Sequence, residues 1–202
     1  ALLYQVRQGR FVPDSFELSF SYAKDLKAVN FNLSDEEKMR LRGRIDRIDT
    51  LREQDKLYVK VIDYKSGNTS FQFLNVYHGL QLQLVVYMNA ALELMEKRYP
   101  DCETVPAGIF YYHVNDPVIE TDEELLEDEL KEKIFRELKL NGIVNREKEV
   151  IESLDVSLKE GKSKSSGVIP AGINKDGSLS KTSKAMETKE FRALSSYVND
   201  TI

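Results

Sequence analysis

The 202-residue sequence contains one cysteine, no tryptophan, two histidines and five prolines. A single cysteine excludes a disulfide framework, and it excludes a zinc or iron–sulfur site built only from this chain's cysteines. Residues 80–95 form the longest apolar stretch, but polar side chains interrupt it and it is too short to span a bilayer. No secretory signal is visible at the start of the sequence. With 41% hydrophobic and 31% charged residues, the composition favours a soluble globular domain.

The net charge of −5 is distributed unevenly along the sequence. Residues 118–160 carry 14 acidic and 7 basic side chains, whereas residues 1–66 carry 11 acidic and 13 basic ones. Because the acidity is concentrated in one segment, the flanking segments can face a polyanion such as a nucleic acid. The sequence begins with Ala1 rather than Met, so we expect it to be a segment of a larger protein.

Strand and helix patterns alternate along the sequence, which predicts an α/β fold with a mixed sheet. Strands are predicted at residues 16–22, 38–49, 57–63 and 108–114, with the second and third forming an antiparallel hairpin. Helices are predicted at residues 75–99 and 187–198. A third helix is predicted from a capping box at Thr121 and Glu124 to about residue 140, where Asn141-Gly142 ends it. A loop is predicted at 161–167 and a hairpin turn at Asp176-Gly177.

The residues best suited to chemistry lie at the end of the third predicted strand. Asp63 and Lys65 project from the same face of that strand, while Tyr64 points away. If the preceding strand pairs with it, Asp46 reaches the same patch. Two carboxylates about 4 Å apart repel by roughly 4 kcal/mol at an effective dielectric near 20, and a divalent cation removes that cost. From spacing alone, a structural Asp–Lys or Asp–Arg ion pair is the open alternative.

Three motifs occur in order: GRID at residues 43–46, DYKS at 63–66 and Q-x-x-x-Y at 83–87. Together they resemble the PD-(D/E)xK nuclease superfamily in its RecB-like branch. The longer sequence segments around these motifs are most similar to the C-terminal nuclease domain of AddB/RexB-type subunits of bacterial ATP-dependent helicase–nucleases. The resemblance implies a restriction-endonuclease-like α/β fold with a central mixed sheet flanked by helices. It also implies one nuclease domain over residues 1–202, with a catalytic core at 1–117 and residues 118–202 appended to it.

The resemblance also implies which side chains form the site. It assigns Asp46 and Asp63 as metal ligands, Lys65 as the catalytic lysine, and Gln83 and Tyr87 as supporting or DNA-binding residues. From the strand pattern alone, the backbone carbonyl of Tyr64 is a further metal ligand, and Arg44, placed on the Asp46 face by alternation, is a phosphate contact. For Gln83 and Tyr87, one helical turn apart, the alternative is a hydrogen-bonded pair on a half-buried helix. For Arg44, the alternative is an ion pair with Glu36, Glu37 or Asp46. The family's usual upstream His or Glu is not visible, and Gln5, Gln8 and Glu17 match it poorly.

The implied function is Mg²⁺- or Mn²⁺-dependent exonucleolytic hydrolysis of DNA during double-strand-break repair by recombination. The implied partners are DNA and a helicase–nuclease subunit of the AddA type in the bacterial cytoplasm, and no membrane is involved. An iron–sulfur cluster is expected in the parent protein but not in this segment, because Cys102 does not fit the family's cysteine pattern. The alternatives are a Cas4-like stand-alone exonuclease and a catalytically silent module for DNA binding or subunit docking.

Overall fold

The computed structural model describes residues 2–20, 26–32, 34, 36–114, 117, 126–159 and 164–202. Its strands are β1 Val12–Ser19, β2 Asn30–Asn32, β3 Lys38–Arg40, β4 Arg44–Glu53, β5 Lys56–Lys65, β6 Glu103–His113, β7 Asn141–Asn145 and β8 Ala185–Met186. Its α-helices are α1 Leu2–Gln8, α2 Phe73–Tyr77, α3 Gln83–Arg98, α4 Glu127–Glu137, α5 Lys148–Leu154, α6 Val156–Lys159 and α7 Thr188–Thr201. None of the helices in these ranges is long and apolar enough to cross a membrane.

Six strands form one mixed sheet in the order β1-β4-β5-β6-β7-β8, and β2 pairs with β3 in a separate ribbon. The β4–β5 hairpin is antiparallel, as predicted, with Arg47 opposite Ile62 and Glu53 opposite Lys56. Strand β6 runs parallel to β5, because the intervening helix α3 returns the chain to the same end of the sheet. The predicted α/β class with a mixed sheet is therefore confirmed.

Each face of the sheet packs against its own hydrophobic core. Alternate residues of β5 serve the two faces: Val59 and Val61 pack with helices α3 and α7, and Tyr58 and Ile62 pack with helix α5. This alternation follows from the two-residue period of a strand. By the same alternation, Asp63 belongs to the face that α3 covers, where residues of the third motif lie.

The predicted helix at 75–99 is wrong in one respect, because it is two helices rather than one. Helix α2 ends at Tyr77 and α3 begins at Gln83. Gly79 between them has φ +74°, a left-handed conformation that glycine adopts without steric cost. The turn places Gln83 in the first turn of α3, at the end of the helix nearest Lys65.

The predicted strand at 38–49 is also interrupted. Residues 41–43 leave the β conformation between β3 and β4, so the two halves belong to different sheets. At Gly43 a Cβ atom would lie 2.5 Å from the buried ring of Phe20, so a larger residue there would require this ring to shift. The single alternation inferred from sequence therefore does not run from Lys38 into the GRID motif.

The predictions for the second half of the chain have mixed outcomes. The turn at Asp176-Gly177 is confirmed by the antiparallel bridge between Ile173 and Leu179, and the last helix is confirmed as α7. Asn141-Gly142 does not end a helix but opens strand β7, which the sequence pattern had not indicated. The capping box at Thr121 and Glu124 lies outside the described residues. The division of the chain at residue 117 stays a prediction.

Candidate active site

The candidate site forms where strands β4 and β5 separate. Their ladder of paired residues ends at Arg47 and Ile62, one position before Asp46 would face Asp63. There the Asp46 carboxylate takes the place of a backbone acceptor, and its Oδ2 accepts a hydrogen bond of 2.8 Å from the backbone N–H of Tyr64. This bond holds the Asp46 side chain against the end of β5, beside Asp63 and Lys65.

Asp63 is a buried carboxylate with only one cationic neighbour at its oxygens among the described residues. The residue is 3% exposed, and its Oδ2 lies 2.7 Å from Lys65 Nζ. That contact is an ion pair rather than a well-aligned hydrogen bond, and no other described group donates to this oxygen. Burial raises the pKa of Asp63; Lys65 opposes the increase, and the negative charge of Asp46 adds to it. The pKa of Asp63 therefore depends on the charge of Asp46.

Lys65 connects the carboxylates to helix α3. Its Nζ donates a 2.9 Å hydrogen bond to Oε1 of Gln83, whose Nε2 donates in turn to the hydroxyl of Tyr87 at 2.8 Å. The ammonium also lies 5.3 Å from the centre of the Tyr111 ring. The Lys65 side chain remains 27% exposed, so this chain of contacts holds a cation that is still open to solvent.

The structure brings together five of the seven residues predicted for the site, namely Asp46, Asp63, Lys65, Gln83 and Tyr87. Tyr64 contributes backbone to the site, and its ring packs on the other face of the sheet, 6.0 Å from that of Tyr112. Arg44 is not brought to these groups: its Nη1 lies 3.0 Å from Glu17 Oε2 on an exposed part of the β1–β4 pair. Arg44 thus forms an ion pair, as in the alternative, but with Glu17 rather than with Glu36, Glu37 or Asp46.

Tyr111 is a site residue that the sequence analysis missed. It lies directly opposite Asp63 in the parallel β5–β6 register and beneath the Lys65 ammonium. Burial raises the pKa of Tyr111 to about 12, and the charge of Asp63 adds to this increase, so its hydroxyl stays protonated at neutral pH. The strand that carries Tyr111 was predicted, but only the parallel register reveals its neighbour.

The donor set fits a divalent ion that takes part of its coordination shell from water or substrate. Asp46 and Asp63 supply carboxylate oxygens, and the buried Asp63 Oδ2 has no aligned hydrogen-bond donor among the residues placed by the structure. Across those residues, no cluster of three or more His, Cys, Asp or Glu side chains is poised to hold a metal. Of the upstream candidates, Glu17 pairs with Arg44, and Gln5 donates through Nε2 to the Leu138 carbonyl while its buried Oε1 has no hydrogen-bond partner among the described residues.

Comparison with known proteins identifies the family. The profile of the PD-(D/E)XK nuclease superfamily, whose members use divalent metal ions, matches residues 2–195. The chain is 44% identical over 98% of its length to the B-type subunit of the ATP-dependent helicase/deoxyribonuclease of Lachnoclostridium phytofermentans, covering 16% of that protein. It is 36% identical over 98% of its length to the protein of the same name from Clostridioides difficile, covering 17%. The chain thus spans about one sixth of the length of these curated relatives. It belongs to the PD-(D/E)XK nuclease superfamily.

Proposed function

We propose that this chain hydrolyses phosphodiester bonds of DNA with the help of a divalent metal ion, Mg²⁺ or Mn²⁺. The observation that supports the proposal is the convergence of Asp46, Asp63 and Lys65 where β4 and β5 separate. Two carboxylates beside an exposed cation suit a reaction in which negative charge develops on a phosphate. Membership of a nuclease superfamily gives this convergence its chemical meaning.

In this proposal Asp46 and Asp63 would hold the ion, together with the backbone carbonyl of Tyr64. When bound, the ion would supply Lewis-acid stabilisation of the phosphate and activation of water. The Tyr64 N–H holds one oxygen of Asp46, and the other oxygen would be available to the ion. Burial of Asp63 limits the access of water to its carboxylate, whose partner among the described residues is the Lys65 ammonium.

Lys65 acts as the positively charged group beside the phosphate. Its ammonium donates hydrogen bonds and has no lone pair to accept a proton, so it orients the attacking water or stabilises a phosphate oxygen. Gln83 holds the ammonium in place through Oε1, and Tyr87 fixes the amide of Gln83. Gln83 and Tyr87 are therefore positioning residues in this proposal, and Arg44 has no role in the chemistry.

At the level of the whole protein, we propose that the chain is the nuclease segment of an AddB-type subunit of an ATP-dependent helicase/deoxyribonuclease. The names of the relatives and the near-complete coverage of this chain support that assignment. The proposed setting is exonucleolytic processing of DNA ends for recombinational repair in the bacterial cytoplasm, with a helicase–nuclease partner of the AddA type. An iron–sulfur cluster would belong to parts of the parent protein outside this chain.

A cleavage assay tests the proposed chemistry. The 202-residue chain, stripped of metal with EDTA, is incubated with an end-labelled single-stranded oligonucleotide and then with added Mn²⁺ or Mg²⁺. We expect metal-dependent shortening of the linear strand, none of a circular single strand, and loss of cleavage in Lys65→Ala. Lys56→Ala, which removes a lysine at the opposite end of β5, is the matched control and should cleave normally.

The outcomes separate the rival functions. Strand binding without cleavage under any divalent ion would refute the nuclease proposal and favour the silent binding module. Cleavage that is equally strong in Lys65→Ala and Lys56→Ala would place the chemistry elsewhere. Cleavage of the circular strand would replace the exonuclease by an endonuclease.

A further inference from the structure

A polar groove of about 700 Å³ opens next to the candidate site. Three stretches of chain line it: the loop after β5 with the end of β6, the link between α4 and β7, and the segment that leads into β8. Its walls are mostly hydroxyl, amide and lysine side chains, from Asn68, Thr69, Ser70, Asn141, Thr182, Lys139 and Lys184. A groove lined in this way suits a hydrated, charged ligand better than an apolar one.

The groove begins where the catalytic strand ends. His113, one of its lining residues, lies opposite Lys65 in the parallel β5–β6 register. The His113 ring joins the end of β6 to the loop after β5, because its Nε2 lies 2.8 Å from the carbonyl oxygen of Thr69. A strand of nucleic acid that leaves the phosphate position beside Lys65 would therefore meet Thr69 and His113 next.

Among the described residues, the groove is lined by two lysines and one glutamate, which gives it a small positive charge. Lys139 and Lys184 have no ion-pair partner within 4 Å in the described part of the chain, and Glu137 is the only acidic side chain in the lining. Burial lowers the pKa of Lys139, and the more distant Asp155 only partly offsets this effect. A half-buried ammonium without a counter-ion gains from a bound anion.

The segment that follows Lys65 carries no charged side chains. Residues 66–92 contain no Asp, Glu, Lys or Arg, in a chain in which 31% of the residues are charged. The segment covers the loop after Lys65, helix α2 and most of α3. No carboxylate in it repels a polyanion passing between the candidate site and the groove.

We propose that this groove binds the phosphate backbone of the DNA strand whose scissile phosphate lies at Asp46, Asp63 and Lys65, with Lys139 and Lys184 as its phosphate contacts. The inference rests on the proposed function, since it assigns the path of that function's substrate. The hydroxyl and amide groups of Thr69, Asn68 and Asn141 supply neutral hydrogen bonds along the same path.

Binding without turnover tests the groove separately from the chemistry. Affinity of the 202-residue chain for a fluorescent thymidine oligonucleotide and for a blunt duplex is measured by anisotropy in EDTA, at several salt concentrations. We expect K139A/K184A to bind at least one of them about tenfold more weakly than the unmodified chain. For the single strand, the slope of log K against log salt should decrease by about 0.7 per lysine lost.

The matched control is R52A/K56A, which removes two positive charges from the other end of the hairpin. Lys56 lies nine residues before Lys65 on β5, roughly 30 Å away. A loss of affinity of less than about threefold in K139A/K184A, or an equal loss of affinity in the control, would contradict DNA binding by the groove. A different outcome is that the unmodified chain binds DNA but never cleaves it with Mn²⁺, while K139A/K184A fails to bind. In that case the role of the groove in DNA binding is supported and the proposed function is contradicted. If K139A/K184A cleaves and binds DNA normally, the proposed function is supported and the role of the groove is contradicted.

Discussion

The β4–β5 hairpin carries two clusters of acidic and basic residues on its opposite faces. On one face Asp49 is buried between two cations: Arg47 Nη2 and Lys60 Nζ each lie 2.7 Å from its Oδ2, and Arg47 Nε also donates to Oδ1. On the other face, among the described residues, Asp63 has one cation, Lys65, and a second carboxylate nearby. Both aspartates are buried, so burial alone does not distinguish them.

The difference lies in how completely each carboxylate is satisfied. Asp49 has both oxygens occupied by protein cations, and Lys60 is further enclosed by the Phe11 ring at 5.3 Å. Such a cluster has no capacity for a further ligand. Asp63 has an excess of negative charge and an oxygen without an aligned donor in the described ranges, and its cation is partly open to solvent. We infer that the closed cluster stabilises the hairpin and that the open one performs chemistry.

The largest expected effect separates the two clusters by activity. Asp63→Asn should lower the rate of DNA cleavage by about a thousandfold, on the order of 4 kcal/mol in activation free energy, because a proposed metal ligand is lost. The measurement is single-turnover cleavage with saturating Mn²⁺. Asp49→Asn should keep the cleavage rate per folded molecule within about threefold, and a loss equal to that of Asp63→Asn would contradict the distinction.

The next effect reverses the order of the two aspartates. Asp49→Ala should lower the free energy of unfolding by about 3–5 kcal/mol, since it leaves Arg47 and Lys60 as buried, uncompensated cations. Asp63→Ala should change it by less than about 1 kcal/mol or increase it, because one of two repelling carboxylates is removed. Urea denaturation in EDTA measures both values. Equal destabilisation by the two substitutions would mean that both clusters are structural.

A smaller effect is expected from the helix that orients Lys65. Gln83→Ala should lower the cleavage rate about tenfold, because it releases the Lys65 ammonium from its 2.9 Å hydrogen bond. Tyr87→Phe should act in the same direction but more weakly, since Gln83 keeps its contact with Lys65. The free energy of unfolding should change by less than about 1.5 kcal/mol in either variant. A cleavage rate unchanged in Gln83→Ala would indicate that the pair serves only packing.

The smallest expected effect is the pH dependence of stability without metal. The pKa of Asp63 is raised above its ordinary value of 3.8, so just above that value the folded chain keeps a proton that the unfolded chain releases. Stability contributed by Asp63 therefore falls as pH rises through the interval between the unfolded and folded pKa values. Asp63→Asn should lack this fall, whereas Asp55→Asn, in the exposed hairpin turn, should keep it. Parallel urea-denaturation profiles for the two variants would contradict the raised pKa.

The sequence was sufficient to predict the hairpin, its turn and the convergence of Asp46, Asp63 and Lys65. It predicted these because the strands are adjacent in the chain and the short turn fixes their register. It failed for Arg44, which was assigned to the Asp46 face by strict alternation. Ile45 and Ile48 both belong to the core beneath α3, so that alternation is broken within β4.

Features that depend on distant pairing were beyond the sequence. Tyr111 becomes a neighbour of Asp63 only through the parallel register of β6. The polar groove needs three segments separated by dozens of residues, and no local pattern brings Lys139 and Lys184 together.

The central claim is that Asp46 and Asp63 together hold a divalent ion, and direct binding of Mn²⁺ tests it most sharply. Electron paramagnetic resonance of the 202-residue chain titrated with Mn²⁺ measures the free ion and hence the bound stoichiometry. We expect saturable binding, at least tenfold weaker in Asp46→Asn and in Asp63→Asn and unchanged in Asp55→Asn. Binding that is equally strong in all three variants would contradict the claim.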